Sequence, residues 1–222
     1  MWRDAALVAG RDLRIEGRSR VALSQVGPFA LLILVLFAFA LDPERGVLER
    51  ATAGLFWVAV LLSAMLTLGR SAALDEADGV RDGLRLSGLE PGGIFLGKAV
   101  AVAAQLLALE VVLAFGVIVL YGADPTGIAL LVATCLSATA AVAAAGTLYG
   151  ALVSGLRVRE TLLPLLVLPA LAPVLIGATR AFESALGGVP SEGWPWCGLL
   201  AGFAVFYSLA GALAYGALLE GS

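Results

Sequence analysis

Arg70–Lys98 reads RSAALDEADGVRDGLRLSGLEPGGIFLGK. Carboxylates run along it, basic groups stand at both ends, and it is the longest water-facing segment of the chain. On either side the sequence is almost continuously apolar. Hydrophobic residues make up 60% of the 222 and charged residues 14%, with a mean hydropathy of +0.98. Apolar runs long enough to cross a bilayer recur along the whole length. The stretch is therefore a loop between membrane spans, and residues 1–222 form one transmembrane domain with no soluble domain left over.

The expected fold class is an all-α polytopic membrane protein with six transmembrane helices. The spans are Val21–Leu41, Ala51–Leu68, Ile94–Tyr121, Thr126–Val153, Thr161–Thr179 and Pro195–Leu219. Each approaches the roughly 20 residues that a bilayer core requires. The third and fourth are longer and must tilt, kink or protrude. Ahead of them, residues 1–20 are polar but patterned. Trp2, Ala6, Ala9 and Leu13 fall on one helical face and Arg11, Arg14 and Arg18 on another. This predicts an amphipathic helix in the membrane interface with its arginines toward lipid headgroups. Ala38-Phe39-Ala40 imitates a signal-peptide cleavage site, but Asp4, Asp12 and Glu16 are out of place in a leader. Span five contains Pro164, Pro169 and Pro173, which remove backbone donors and predict kinks or a break. They serve either as packing kinks or as a bent gate or substrate-facing wall. Residues 180–194 read as a short interfacial helix and turn on the outer face.

Orientation follows from the basic residues. Arg3, Arg11, Arg14, Arg18, Arg20, Arg70, Arg81, Arg85, Lys98, Arg157 and Arg159 share one side of a six-span chain, against Arg45, Arg50 and Arg180 on the other. Both termini and the charged loop (residues 69–93) are therefore expected in the cytoplasm. Trp57, Tyr121, Trp194 and Trp196 then fall near the outer boundary, where amphipathic aromatics anchor well.

Little in the chain supports chemistry. Gly92 to Ala99 nearly spells a phosphate-binding loop, but Ala99 stands where the Mg²⁺-binding hydroxyl is needed and no strand precedes it. There is no histidine, and Cys135 and Cys197 lie far apart in apolar surroundings, so catalytic triads and metal sites are unsupported. No catalytic, cofactor-binding or metal-ligating residue is expected, and no nucleic-acid partner. Glu110 is the one carboxylate well inside a span, with Gln105 five residues earlier. An ionisable group at that depth is a functional candidate by default. It either faces a polar cavity, takes a proton, meets a basic group, or is hydrogen-bonded within the bundle. Gly93-x-x-x-Gly97, Gly146-x-x-x-Gly150 and Gly198-x-x-x-Gly202 allow close helix approach.

Within the loop, Asp75, Glu76, Asp78, Asp82 and Arg85 fall on one side of a helix, with Ala73, Leu74, Ala77, Val80 and Leu84 on the other. Acidic residues in the first turns suit the helix dipole. Ser87-Gly88 and Pro91 end it. The segment is either a solvated surface helix or a cytoplasmic helix that docks on a soluble partner.

Here the sequence resembles the CcmB family, membrane permease subunits of the ABC-type haem exporter of cytochrome c maturation. The family's loop pattern is approximately R-x4-D-x2-D-G-x-L-E-x-L-x-L-S-P-L, with a lysine opening the next span. Arg70, Asp75, Asp78, Gly79, Leu84, Leu86, Ser87, Leu89 and Lys98 match, and Asp82 replaces a glutamate. Arg81 and Gly88 depart from it. A second match is Gly155-Leu156-Arg157 followed by Leu162-Leu163, Val167-Leu168-Pro169 and Pro173-Val174-Leu175-Ile176. The resemblance implies a multi-pass, non-catalytic permease subunit in the bacterial inner membrane. A separate cytoplasmic ATP-binding subunit would use the ATP and grip a coupling surface formed by Leu74, Asp75, Asp78, Gly79, Asp82, Leu84, Leu86, Ser87 and Leu89. Other membrane subunits would handle haem, which is implied as transported substrate and not as a cofactor bound by this chain. A second copy of the chain and the lipid bilayer are the remaining expected partners.

Two alternatives share this composition: a permease of the same architecture for a lipid or peptide, and a non-transporting membrane assembly factor. A coupling surface makes a specific demand. Asp78→Lys combined with Leu84→Asp should abolish cytochrome c maturation, scored by haem staining, while membrane immunoblots show the protein still inserted. Retained maturation would refute the assignment of the loop.

Overall fold

The structure is a computed structural model and describes residues 1–19, 22–41, 45–76, 83, 88–123, 125–154, 156 and 158–220. Seven α-helices account for nearly all of them, and no strand occurs among the described residues. They are α1 (Trp2–Ser19), α2 (Gly27–Ala40, entered through a π-helical turn at Ala22–Val26), α3 (Arg45–Glu76), α4 (Pro91–Tyr121), α5 (Ile128–Val153), α6 (Arg159–Leu186) and α7 (Pro190–Glu220). In a membrane each segment must satisfy its own backbone, and helices do so without partners.

Five stretches are long and apolar enough to cross a bilayer: Gly46–Ser71, Pro91–Tyr121, Ile128–Val153, Thr161–Leu186 and Pro190–Leu218. The first expected span is shorter, an apolar helix over Ser24–Ala40. The helix ends follow local chemistry. Pro91 opens α4 behind an extended Glu90, where a missing N–H costs nothing. Gly122 ends α4 in the left-handed conformation (φ 65°), which glycine adopts without a Cβ clash.

Two expectations are corrected. Residues 180–194 are not a separate interfacial element. α6 continues through Leu186, a turn at Gly187–Val189 follows, and α7 begins at Pro190. The three prolines do not break α6, which runs from Arg159 to Leu186. Pro169 and Pro173 are exposed, whereas Leu163, Val167, Leu171, Val174 and Ala178 form the buried face. The rings therefore project away from the bundle. Between them the Tyr207 hydroxyl of α7 donates to the Ala170 carbonyl at 3.0 Å, a bond that helps hold a proline-rich stretch in place.

Trp57 is buried, at 1% exposure, and lies edge-on to Phe182 of α6 at 6.2 Å, while Phe56 stacks on the same ring at 4.7 Å. It is a core residue, whereas Trp194 and Trp196 are exposed on α7.

α4 is the hub, packing against α1, α2, α3, α5 and α7. The alanine-rich middle of α5, Ala141 to Ala145, is fully buried among α4, α6 and α7. Hydroxyls in the core are turned onto their own helix: Thr52, Ser63 and Thr67 donate to the carbonyls of Leu48, Ala59 and Ser63 at 2.7–2.9 Å. The Tyr207 bond, by contrast, links two helices. Tyr207→Phe should cost about 0.6–1.7 kcal/mol, read as a shift in the unfolding midpoint of the purified protein in detergent, with no loss of expression.

Candidate functional site

The legs of the charged loop are described, and its centre is not. Asp78, Gly79, Asp82, Leu84, Leu86 and Ser87 lie outside the described residues. Leu74 and Asp75 belong to the last turn of α3, which carries one leg two turns beyond Leu68. Gly88 has φ 68°, and the half-buried Leu89 leads into α4.

α1 is seated on the α4 leg and reaches the α3 leg through one ion pair. On the α4 side the seat is made by glycine. A Cβ at Gly93 would stand 2.8 Å from the Met1 carbonyl, and one at Gly97 2.7 Å from the Ala5 carbonyl and 2.7 Å from the Val8 Cβ. Backbones can approach this closely only where no side chain intervenes. Ala5, Val8 and Ala9 are the buried face of α1, so Ala9 packs against protein, whereas Trp2, Ala6 and Leu13 of the expected stripe are exposed. The Glu90 carboxylate lies 2.8 Å from the Met1 ammonium, and the Glu90 N–H donates to Asp4 at 3.3 Å. The bond to Glu90 above all, then Asp4, holds this ammonium above its ordinary range. On the α3 side, Glu16 approaches Arg70 at 3.7 Å. Lys98, expected at the water-facing end of the loop, is instead buried at 3% exposure one residue past Gly97.

The intramembrane candidate acquires partners. Glu110 is 3% exposed on the buried face of α4 with Leu106, Leu109 and Leu113. Thr139 of α5 donates to its Oε1, and Cys135, one turn before Thr139, lies against the same carboxyl group. Oε2 has no hydrogen-bond partner among the described residues. Gln105 is half-buried and shares no bond with Glu110 among them. Glu110 is therefore part of an α4–α5 contact in the middle of the bundle.

A third feature left no mark in the sequence. An open cleft of about 390 Å³ lies between α3 and α6, lined by Trp57, Val58, Leu61, Leu175 and Ile176, with Arg180 and Glu183 paired at 3.2 Å at its rim. It has an apolar body and a polar edge.

A bundle of long apolar helices, five of them long enough to cross a bilayer, defines a multi-pass helical membrane protein. The chain belongs to the CcmB family: the family model described as CcmB protein matches residues 4–222. It is 38% identical over 184 residues to Heme exporter protein B of Paracoccus denitrificans, covering 81% of this chain and 83% of the relative. It is 33% identical to the proteins of that name from Haemophilus influenzae, over 82% and 83% of the two chains, and from Escherichia coli K12, again over 82% and 83%.

The Glu110–Thr139 contact can be measured. In a double-mutant cycle, Glu110→Leu and Thr139→Val should show a coupling of about 1 kcal/mol, read from equilibrium unfolding in detergent. Additive effects would mean that the carboxyl group contributes nothing through Thr139.

Proposed function

We propose that this chain is the permease subunit of an ATP-driven haem exporter serving cytochrome c biogenesis in the bacterial inner membrane. The observation that carries this reading is family membership across residues 4–222, charged loop included. The permease has no ATP chemistry of its own in this proposal, and a cytoplasmic ATP-binding subunit supplies it by gripping the loop.

Six crossings suit the charge distribution better than five. With α2 as a span, both termini and the loop share the side that holds eleven of the fourteen basic residues. Ser24–Ala40 is short, but a bilayer thins locally around a short helix at modest cost. α2 also exposes Phe29, Leu32, Leu36 and Phe39, as a lipid-facing helix would.

Coupling requires that the ATPase hold the loop differently in two states. Displacement of the loop would move α3 and α4 together with α1, because α1 is bound to both legs. Glu110–Thr139 would pass the motion to α5, and the α3–α6 cleft would change shape as α3 moves. Haem iron is usually held by His, Met, Cys or Tyr. With no histidine here, this permease either contacts haem weakly or only transmits force to a neighbouring subunit that binds it.

The deciding experiment is purification from native membranes. An ATP-binding subunit and haem-handling membrane proteins should accompany the chain. Alkaline phosphatase fused after Gly188 should be active and fusions after Ser19 or Gly88 inactive. Purification without an ATPase would favour the assembly-factor reading, and a phosphatase-active Ser19 fusion would refute six crossings.

A further inference from the structure

α1 sorts its charges by face. Asp4 accepts from the Glu90 N–H and lies by the Met1 ammonium, Glu16 approaches Arg70 of α3, and Asp12 pairs with Arg11 of α1 itself at 2.9 Å. The side chains of Asp12 and Glu16 are only 17% and 12% exposed. Arg14 and Arg18 point the other way, are exposed, and have no ion-pair partner among the described residues. Together with Arg11 they border a groove of about 310 Å³ whose floor is Ala6, Leu7, Gly10 and Ile15.

We propose that this groove binds the headgroup of an anionic phospholipid, with the phosphate between Arg11, Arg14 and Arg18 and the upper acyl region against Leu7 and Ile15. Arg14 and Arg18 have no carboxylate partner among the described residues, and Arg11 has one in Asp12, so the three guanidiniums leave net positive charge that suits an anion. The apolar floor, and Leu7 at 57% and Trp2 at 80% exposure along the same helix, favour a lipid over an acidic protein surface, which would leave that apolar area uncovered. The position fits as well. α1 lies over the first turns of α4, at the end of a membrane-length helix and hence at headgroup level. The inference does not depend on the cargo. It adds a specific lipid contact to the proposed permease.

The test uses the full chain in nanodiscs of phosphatidylcholine doped with phosphatidylglycerol, with retained lipid read by native mass spectrometry. Wild type should retain phosphatidylglycerol selectively, and raising the salt should reduce that retention. Arg11→Gln/Arg14→Gln/Arg18→Gln should lose it by on the order of a hundredfold, roughly fivefold per charge, with the corresponding lysine variant partly restoring it. The salt series needs no variant, so it decides even if the glutamine variant fails to fold. Retention that is indifferent to both salt and substitution would overturn the proposal. So would displacement of the lipid by inorganic phosphate, which would mark a free-anion site. Loss of a co-purifying subunit from the glutamine variant, with lipid retention unchanged, would overturn it too and assign this face to a protein.

Discussion

Close approach of backbones is the constraint on which this bundle depends. Helices in lipid gain nothing from hiding apolar surface, since acyl chains are as apolar as leucine. What holds them is dispersion at short range, which is lost steeply with small gaps. The chain answers with glycine at the points of contact. Gly93 and Gly97 admit α1 against α4, Gly146 of α5 receives Leu68 of α3, and Gly211 of α7 lies beneath the Phe95 ring. Removing any of these hollows would push apart a pair of helices, and α4 would suffer most because five neighbours meet on it.

From the same constraint follows how much of the fold could be read beforehand. Apolar run length placed the long helices, because that signal acts locally, whereas Pro91, expected to end the loop helix, opens α4. The spacing of Gly93 and Gly97 announced a close contact but not its partner, which turned out to be α1 rather than a second span or a second copy. Gly198 and Gly202, with the same spacing, meet nothing within 4 Å. The motif permits approach and does not cause it. The three prolines of α6 predict kinks or a break, and of these the break does not occur. In α6 the rings face outward and a hydroxyl from α7 binds the intervening backbone, so the helix continues.

The candidate site shows a similar division. Glu110 was conspicuous as a carboxylate at depth, yet its partner lies 29 residues away on another helix, beyond any local pattern. Trp57 is buried against Phe182, and nothing near Trp57 in the sequence signals a ring 125 positions later. Lys98 looked like the last residue of a water-facing loop. Helix α4 in fact begins at Pro91, so Lys98 is already two turns inside it and under α1. The expected span already began at Ile94. What buries Lys98 is α1 lying over Gly93 and Gly97, a contact no local pattern announces.

One consequence concerns α1, which read as an appendage resting on lipid. Its inner face is fixed to both legs of the loop through glycine contacts and ion pairs, and its outer face carries the arginines. A helix fixed on one side only would slide with the loop and do little. A helix also held by the headgroup layer, as the proposed lipid contact would have it, gives the moving legs something to work against. The sorting of acids inward and arginines outward is then a mechanical arrangement. Charges on the protein side bind α1 to α3 and α4, charges on the lipid side restrain the assembly at a fixed depth, and the remaining freedom is rotation of the legs about α1. On that arrangement α1 would be the pivot about which the two legs turn.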